Sequence, residues 1–173
     1  MITVRSRAEF RADFPGDHIW NDDESDVVQT GGKAAAEAIA DILAGFGCVI
    51  EALEDNVGHC WECSFSYQRL PLVFRVVDVD GCILTFDEPH RAMRRLDRFC
   101  DVLLRLNEQL RRDGRFHDLA WYSQDDGRVG AEAFEAPVAG YVPAADQPIE
   151  PVEEKRTFLQ KLLAPLRARP DVR

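Results

Sequence analysis

The chain has 173 residues, which predicts one main domain, since most domains contain about 100 to 200 residues. Hydrophobic residues make up 46% of it, enough for a core that folds unaided. Asp and Glu number 31 against 21 Lys and Arg, so the net charge is −10. This acidity disfavours binding to nucleic acid or to an anionic membrane, and it favours a basic protein partner.

The N-terminus lacks the apolar stretch of a signal peptide, and no run approaches the 18 or so apolar residues of a membrane span, so we expect a cytoplasmic protein. Five cysteines lie mostly in apolar runs, which is typical of reduced thiols. Cys60 and Cys63 have C-x-x-C spacing, but no second pair completes a zinc site and a strand would point the two thiols apart. We expect neither a metal nor a cofactor.

The first segments are predicted from local spacing. Ser6 and Glu9 have capping-box spacing, which predicts a short helix running to about Phe14. Asp13–Asp26 contains six acids and no Lys or Arg, with Trp20 among them, and is predicted to be a loop of strong negative potential. Thr30-Gly31-Gly32 then opens an Ala-rich amphipathic helix that ends near Gly47.

Four strands follow at about 48–53, 59–67, 70–79 and 82–86. A two-residue turn at 68–69 pairs Trp61 with Val76 on the core face and Glu62 with Arg75 on the other. The core face is then expected to bury a set of residues together with the long helix: Trp61, Phe65, Leu72, Phe74, Val76, Leu96, Phe99 and Leu103. Reading Asp80-Gly81 as a second two-residue turn assigns four apolar residues to the Glu62/Arg75 face: Val77, Val79, Leu84 and Phe86. That second face is therefore expected to be covered by another element or a partner.

The remaining elements complete an α+β fold, an antiparallel sheet packed against helices. Asp87-Glu88-Pro89 begins a long helix that ends near Gly114, and strands are predicted at 116–123 and 128–134. The expected division is a core domain at 1–136, a Pro-rich linker at 137–151, and a C-terminal amphipathic helix (about 152–166) and tail at 152–173. The long helix is rich in arginine, which indicates either a solvated face with i,i+4 ion pairs or a surface that docks onto acids.

No catalytic constellation is evident. Gly31-Gly32-Lys33 lacks the spacing and the Ser or Thr of a phosphate-binding loop. Of the groups Asp78/Asp80 and Asp87/Glu88/His90, Asp80 is explained by a turn, Asp87 and Glu88 by a helix start, and His90 by exposure. The stronger candidate is the acidic segment, because an aromatic anchor ringed by acids suits recognition of a basic protein. The predicted partner-binding residues are Asp17, Trp20, Asp22, Asp23, Glu24 and Asp26.

Two resemblances bear on function. Thr30-Gly31-Gly32 and Gly58-His59-Cys60-Trp61-Glu62 resemble motifs of small acidic bacterial α+β proteins, some of them similar to immunity proteins of toxin systems. In size, acidity and order of elements, the chain is also similar to chaperones of type III secretion effectors. The first resemblance implies a non-enzymatic module that neutralises a basic toxin, and the second implies binding of an effector segment on the apolar second face. A small enzyme and a homodimer are the remaining alternatives.

Overall fold

The computed structural model describes residues 1–24, 26–56, 58–78, 81–87, 96–123 and 131–143. Within these ranges the elements are ten strands and two helices: β1 (Thr3–Val4), β2 (Arg7–Ala12), β3 (Ile19–Trp20), β4 (Val27–Gln29), α1 (Lys33–Gly45), β5 (Val49–Asn56), β6 (Cys60–Tyr67), β7 (Leu70–Asp78), β8 (Cys82–Phe86), α2 (Leu96–Arg112), β9 (Phe116–Tyr122) and β10 (Val138–Ala139). The α+β class predicted from the sequence is confirmed.

The main body is one antiparallel sheet whose buried face is covered by α1 and α2. Its strand order is β5-β6-β7-β8-β2-β9, and every neighbouring pair is antiparallel. Alternate residues along β6 and β7 enter the core with Ile39 and Leu43 of α1 and Leu103 and Leu106 of α2. The sheet's other face carries partly exposed residues, so the fold has two layers.

The four consecutive strands predicted between residues 48 and 86 are confirmed, and so is the predicted pairing across the turn at 68–69. Trp61 pairs with Val76, and Glu62 pairs with Arg75 on the opposite face. Phe65, Leu72, Phe74, Phe99 and Leu103 are buried as expected, whereas Leu96 is only partly buried. The period-two alternation of large apolar residues accounts for this success, because a shift of one residue would expose all of them.

The helix predicted from Ser6 to Phe14 is wrong, because residues 7–12 form β2. This strand lies between β8 and β9, where Ala8 and Phe10 are buried in the core. The Ser6 hydroxyl is buried and caps no helix, while Arg7 and Glu9 form an ion pair at 2.6 Å along the strand. Pairing with two strands distant in sequence overrides the local capping signal.

The second predicted turn is also wrong by one residue. Asp78 pairs with Cys82, so three residues, 79–81, link β7 to β8 instead of two. Leu84 and Phe86 therefore lie on the core face, fully buried, rather than on the Glu62/Arg75 face. The Glu62/Arg75 face of the sheet is consequently less apolar than predicted from the sequence.

The long helix is confirmed over α2, and its predicted start at 88–95 lies outside the described residues. Its described arginines bind within the chain: Arg98 donates to the carbonyl oxygen of Gln68, Arg105 pairs with Asp101 at 3.1 Å, and Arg112 pairs with Glu108. Arg111 donates to the backbone oxygens of residues 119 and 135. These contacts favour the solvated, internally paired interpretation of this face over a docking surface.

Toward the C-terminus, the strand predicted at 116–123 is confirmed as β9. Of the strand predicted at 128–134, Phe134 forms an isolated bridge to Trp121, and 124–130 lie outside the described residues. In the stretch predicted as a linker, β10 pairs with β1 and Val138 is buried, so 137–139 pack on the core. The C-terminal helix predicted at 152–166 lies outside the described residues. Among the helices of the described ranges, none is long and apolar enough to cross a membrane.

Candidate protein-binding site

The predicted acidic loop contains a small β-hairpin, which we call the acidic hairpin (residues 17–30). Its strands β3 and β4 pair only with each other and do not join the six-stranded sheet. Three apolar side chains on it are about half exposed: Ile19 (49%), Trp20 (51%) and Val28 (55%). Burial of large apolar side chains is a main source of folding free energy, so three large apolar side chains left in water on one short hairpin mark a candidate interaction surface.

Four acids lie in and beside the turn that follows Trp20 at the end of the hairpin. Asp22, Asp23, Glu24 and Asp26 are all exposed. The turn is held by backbone bonds from the Asn21 N–H to the Asp26 oxygen and from the Glu24 N–H to the Asn21 oxygen, both 3.0 Å. The structure thus brings Trp20 and four of the predicted acids together on one projection of the chain.

The fifth predicted acid, Asp17, has a different position and role. Its two carboxylate oxygens accept hydrogen bonds from the Gly32 and Ala34 N–H groups at 2.7 Å each. Gly32 is the residue before α1, has φ of 92°, and offers no side chain to cap the helix. Asp17 therefore caps α1 from outside the helix, and its charge faces the helix N-terminus rather than a partner.

The base of the hairpin is fixed to the body of the protein by hydrogen bonds of Thr30, the residue after β4. Within the hairpin, Gln29 Nε2 donates to the Asp17 backbone oxygen at 2.5 Å. Thr30 is bonded three times: its N–H donates to the Asp55 carboxylate, its hydroxyl oxygen accepts from the Gly58 N–H, and its carbonyl oxygen accepts from the Trp61 indole at 2.7 Å. A fixed base reduces the conformational entropy that binding would otherwise cost.

Trp20 is also oriented locally. The His18 ring stacks on the Trp20 ring with centroids 5.1 Å apart and an interplanar angle of 6°. A parallel contact of this kind covers one face of the indole and leaves the ring partly open to solvent. Trp20 is accordingly presented by its neighbours rather than buried under them.

A cleft near the hairpin is poorly suited to catalysis. A cleft of about 430 Å³ at the start of α1 is lined by residues that include Asp13, Asp17, Asp78 and Cys82. Burial, with Asp78 and Asp17 nearby, raises the pKa of the Cys82 thiol to about 12, which disfavours a nucleophilic thiolate at neutral pH. Among the described residues no group of three or more His, Cys, Asp or Glu is placed to hold a metal.

An anion site at Gly31-Gly32-Lys33 is excluded by the same contacts that cap α1. The N–H groups that would cradle an anion already bind the Asp17 carboxylate, a negative group of the chain itself. A side chain at Gly32 would also approach Val76 and Asp78 to 3.3 Å, so glycine serves close packing here as well as the left-handed φ.

Comparisons with known proteins leave this site to be interpreted on its own geometry. The chain matches no family model, and no curated protein or solved structure is detectably similar to it.

Ile19 and Val28 are two exposed residues of the hairpin that were not predicted from the sequence as binding residues. Val28 follows Val27 and precedes Gln29, and two adjacent valines in a short segment do not reveal which one the hairpin exposes.

Replacing Asp17 by alanine is expected to destabilise the protein without touching the exposed surface. Loss of the external cap leaves two N–H groups of α1 unpaired, which costs about 1 to 2 kcal/mol in the free energy of unfolding. Chemical denaturation measures this loss. Asp22→Ala, an equal change of charge at the exposed end of the hairpin, is the matched control and should change stability by less than about 0.5 kcal/mol; equal effects of the two variants would refute the cap.

Proposed function

We propose that this protein is a non-enzymatic protein-binding module that uses the acidic hairpin to bind a basic protein partner. The observation that carries the proposal is Trp20, half exposed on a hairpin whose base is bonded to the core. Trp residues often dominate the free energy of protein association, and a ring of acids accelerates encounter with a basic surface.

The partner we propose is a toxin that the protein neutralises as an immunity-type protein, in the cytoplasm. The overall charge of −10 supports a basic target, and the placement of acids beside an apolar anchor supports a specific contact rather than general electrostatic attraction. The chaperone-like alternative loses its main support, because Leu84 and Phe86 belong to the core and not to an apolar second face.

The proposal is tested by identifying the protein encoded beside this chain's gene and, where that protein is basic, measuring its association kinetics with this chain. Replacing Asp22, Asp23 and Glu24 together by alanine should slow association about tenfold at low ionic strength and flatten its dependence on salt. The reason is that these acids steer the encounter through a field that salt screens.

Three acids outside the hairpin provide the control for that experiment. Glu37→Ala, Asp41→Ala and Glu135→Ala together remove the same charge from exposed positions of α1 and of the segment that follows β9. If the hairpin is the interface, this control should slow association much less than the triple hairpin variant. Equal slowing by both variants would show that only net charge matters and would remove the hairpin from the interface.

A further inference from the structure

The two edge strands of the six-stranded sheet, β5 and β9, differ in the hydrogen bonds made on their outer sides. At the β9 edge, the backbone of Trp121 exchanges two hydrogen bonds with Phe134, at 2.8 and 3.0 Å, and the Leu119 carbonyl oxygen accepts from Arg111. At the β5 edge, no backbone hydrogen bond joins the outer side of the strand to another described residue. Unpaired N–H and C=O groups on an edge strand can accept a further strand.

The register identifies which groups of β5 point outward. Gln68 and Arg69 have φ of 47° and 67°, as in a two-residue type I′ turn, so the flanking Tyr67 and Leu70 exchange hydrogen bonds. Backbone groups alternate in direction along β6, and the pairs that bond across β5 and β6 are Ala52 with Ser64 and Glu54 with Glu62. The backbone groups of Leu53 and Asp55 therefore face away from the sheet.

On this edge the acidic side chain of Glu54 has no cationic partner among the described residues. Glu54 lies opposite Glu62, an unfavourable cross-strand pair of like charges. Arg75 binds Glu62 at 2.6 Å and also Asp87 at 2.5 Å, so its guanidinium is already shared. Glu54 is exposed and forms no ion pair with any described residue.

The open edge adjoins the acidic hairpin. The Asp55 carboxylate accepts the N–H of Thr30 at the base of the hairpin. A register shift at Glu51 interrupts the strand, which leaves a regular stretch of five residues, Ala52–Asn56, beside the hairpin. Five residues are a usual length for a paired strand.

We propose that an extended basic segment of the partner adds as a strand to Ala52–Asn56 and places a Lys or Arg opposite Glu54. This inference rests on the proposed function and specifies how that partner is recognised, by main-chain pairing at the edge beside the hairpin. A second copy of this chain is a poor occupant, because antiparallel self-pairing centred on Glu54 would place this acid opposite the same acid of the other copy.

The test uses the full chain, isotope-labelled, and a nine-residue peptide of alternating lysine and valine. Saturating peptide should slow amide hydrogen exchange at Leu53 and Asp55 at least tenfold, since their N–H groups become bonded. Exchange at Ala52 and Glu54, whose N–H groups are bonded to β6 in the free protein, should change little. An alternating glutamate and valine peptide should not bind.

Charge variants test the predicted contact at Glu54. Glu54→Lys should weaken binding of the lysine peptide about fivefold, because an attraction across the strands becomes a repulsion. Glu132→Lys, the same change at an exposed residue near the opposite edge, should leave binding unchanged. Equal weakening by both variants would overturn the assigned contact.

Three outcomes separate the failure of this inference from failure of the proposed function. If the basic partner protein binds and depends on Trp20 while exchange at Leu53 and Asp55 is unaffected, the strand addition is wrong and the hairpin function stands. If these two amides become protected with rising protein concentration and no peptide, a second copy occupies the edge and the inference is overturned. If the lysine peptide protects these two amides but Trp20→Ala does not change binding of the partner, the proposed function fails instead.

Discussion

Trp20→Ala is expected to raise the dissociation rate of the basic partner about 30-fold and to leave the association rate nearly unchanged. The loss corresponds to about 2 kcal/mol, the typical effect of removing a tryptophan anchor from an interface. Short-range packing acts after the encounter, so its loss appears in dissociation, whereas the acids act on association.

The same substitution should leave folding stability nearly intact, because the indole is half exposed and stacks on the exposed His18 ring. We expect a change of less than about 0.5 kcal/mol in the free energy of unfolding. Val142→Ala is the matched control for removal of an exposed apolar side chain, since Val142 is 86% exposed and outside the hairpin. An unchanged dissociation rate for Trp20→Ala would remove the indole from the interface.

Fluorescence gives an independent measurement of the same contact. The chain's other tryptophans, Trp61 and Trp121, are buried, so acrylamide quenching of the free protein reports mainly on Trp20. Partner binding through the hairpin should reduce quenching, and Trp20→Ala should abolish that reduction. Quenching that persists at full occupancy would contradict burial of the indole in the complex.

The sheet could be predicted where local patterning and tertiary structure demand the same arrangement. In β6, Trp61, Phe65 and Tyr67 alternate with polar residues, and the Glu62/Arg75 pair supports the same register. The prediction of the next turn failed because Asp80-Gly81 is a common two-residue turn, and nothing local indicates that Asp78 pairs with Cys82 across three intervening residues. One extra residue was enough to assign Leu84 and Phe86 to the wrong face.

The candidate site was predictable in composition but not in structure. Clustering of acids around Trp20 is visible in the sequence, whereas the attachment of the hairpin's base to the sheet depends on contacts between residues far apart, such as Trp61 with Thr30. Asp17 looked like one more acid of the cluster, although the glycine before α1 was a signal that the cap had to come from elsewhere. The error over β2 has the same origin, because its partners β8 and β9 lie more than 70 residues away.

The second large expected effect is unfolding in alkali. Burial raises the pKa of the Cys48 thiol from 9.0 to about 12, with the nearby Cys63 contributing, and burial raises that of Cys63 to about 11. Cys82 and Cys100 are raised mainly by burial as well, to about 12 and 11. All four thiols are buried in the core, where a thiolate would be poorly solvated.

These shifts determine the direction of the pH dependence. Below pH 9 the thiols are protonated in both the folded and the unfolded chain, and stability does not depend on them. Above pH 9 the unfolded chain releases protons that the folded chain still holds, so stability falls as the pH rises toward 11 to 12. Tyr67 acts in the same direction above pH 10, since burial and its hydrogen bond to Asp101 raise its pKa to about 12.

Four such thiols together lower the free energy of unfolding by at most about 5 kcal/mol per pH unit, against the 5 to 15 kcal/mol of a typical domain. We therefore expect cooperative unfolding at about pH 10.5 under reducing conditions, measured by circular dichroism and denaturant titration.

A double variant tests the role of the thiols. Cys63→Ala with Cys100→Ala should reduce the slope of the free energy of unfolding against pH, between pH 9.5 and 10.5, by roughly half, although the cavities lower the stability at neutral pH. Val76→Ala is the control, because it also creates a cavity in the core but removes no ionisable group, and this variant should leave the slope nearly unchanged. A double variant with the wild-type slope would show that the buried thiols do not control stability in alkali.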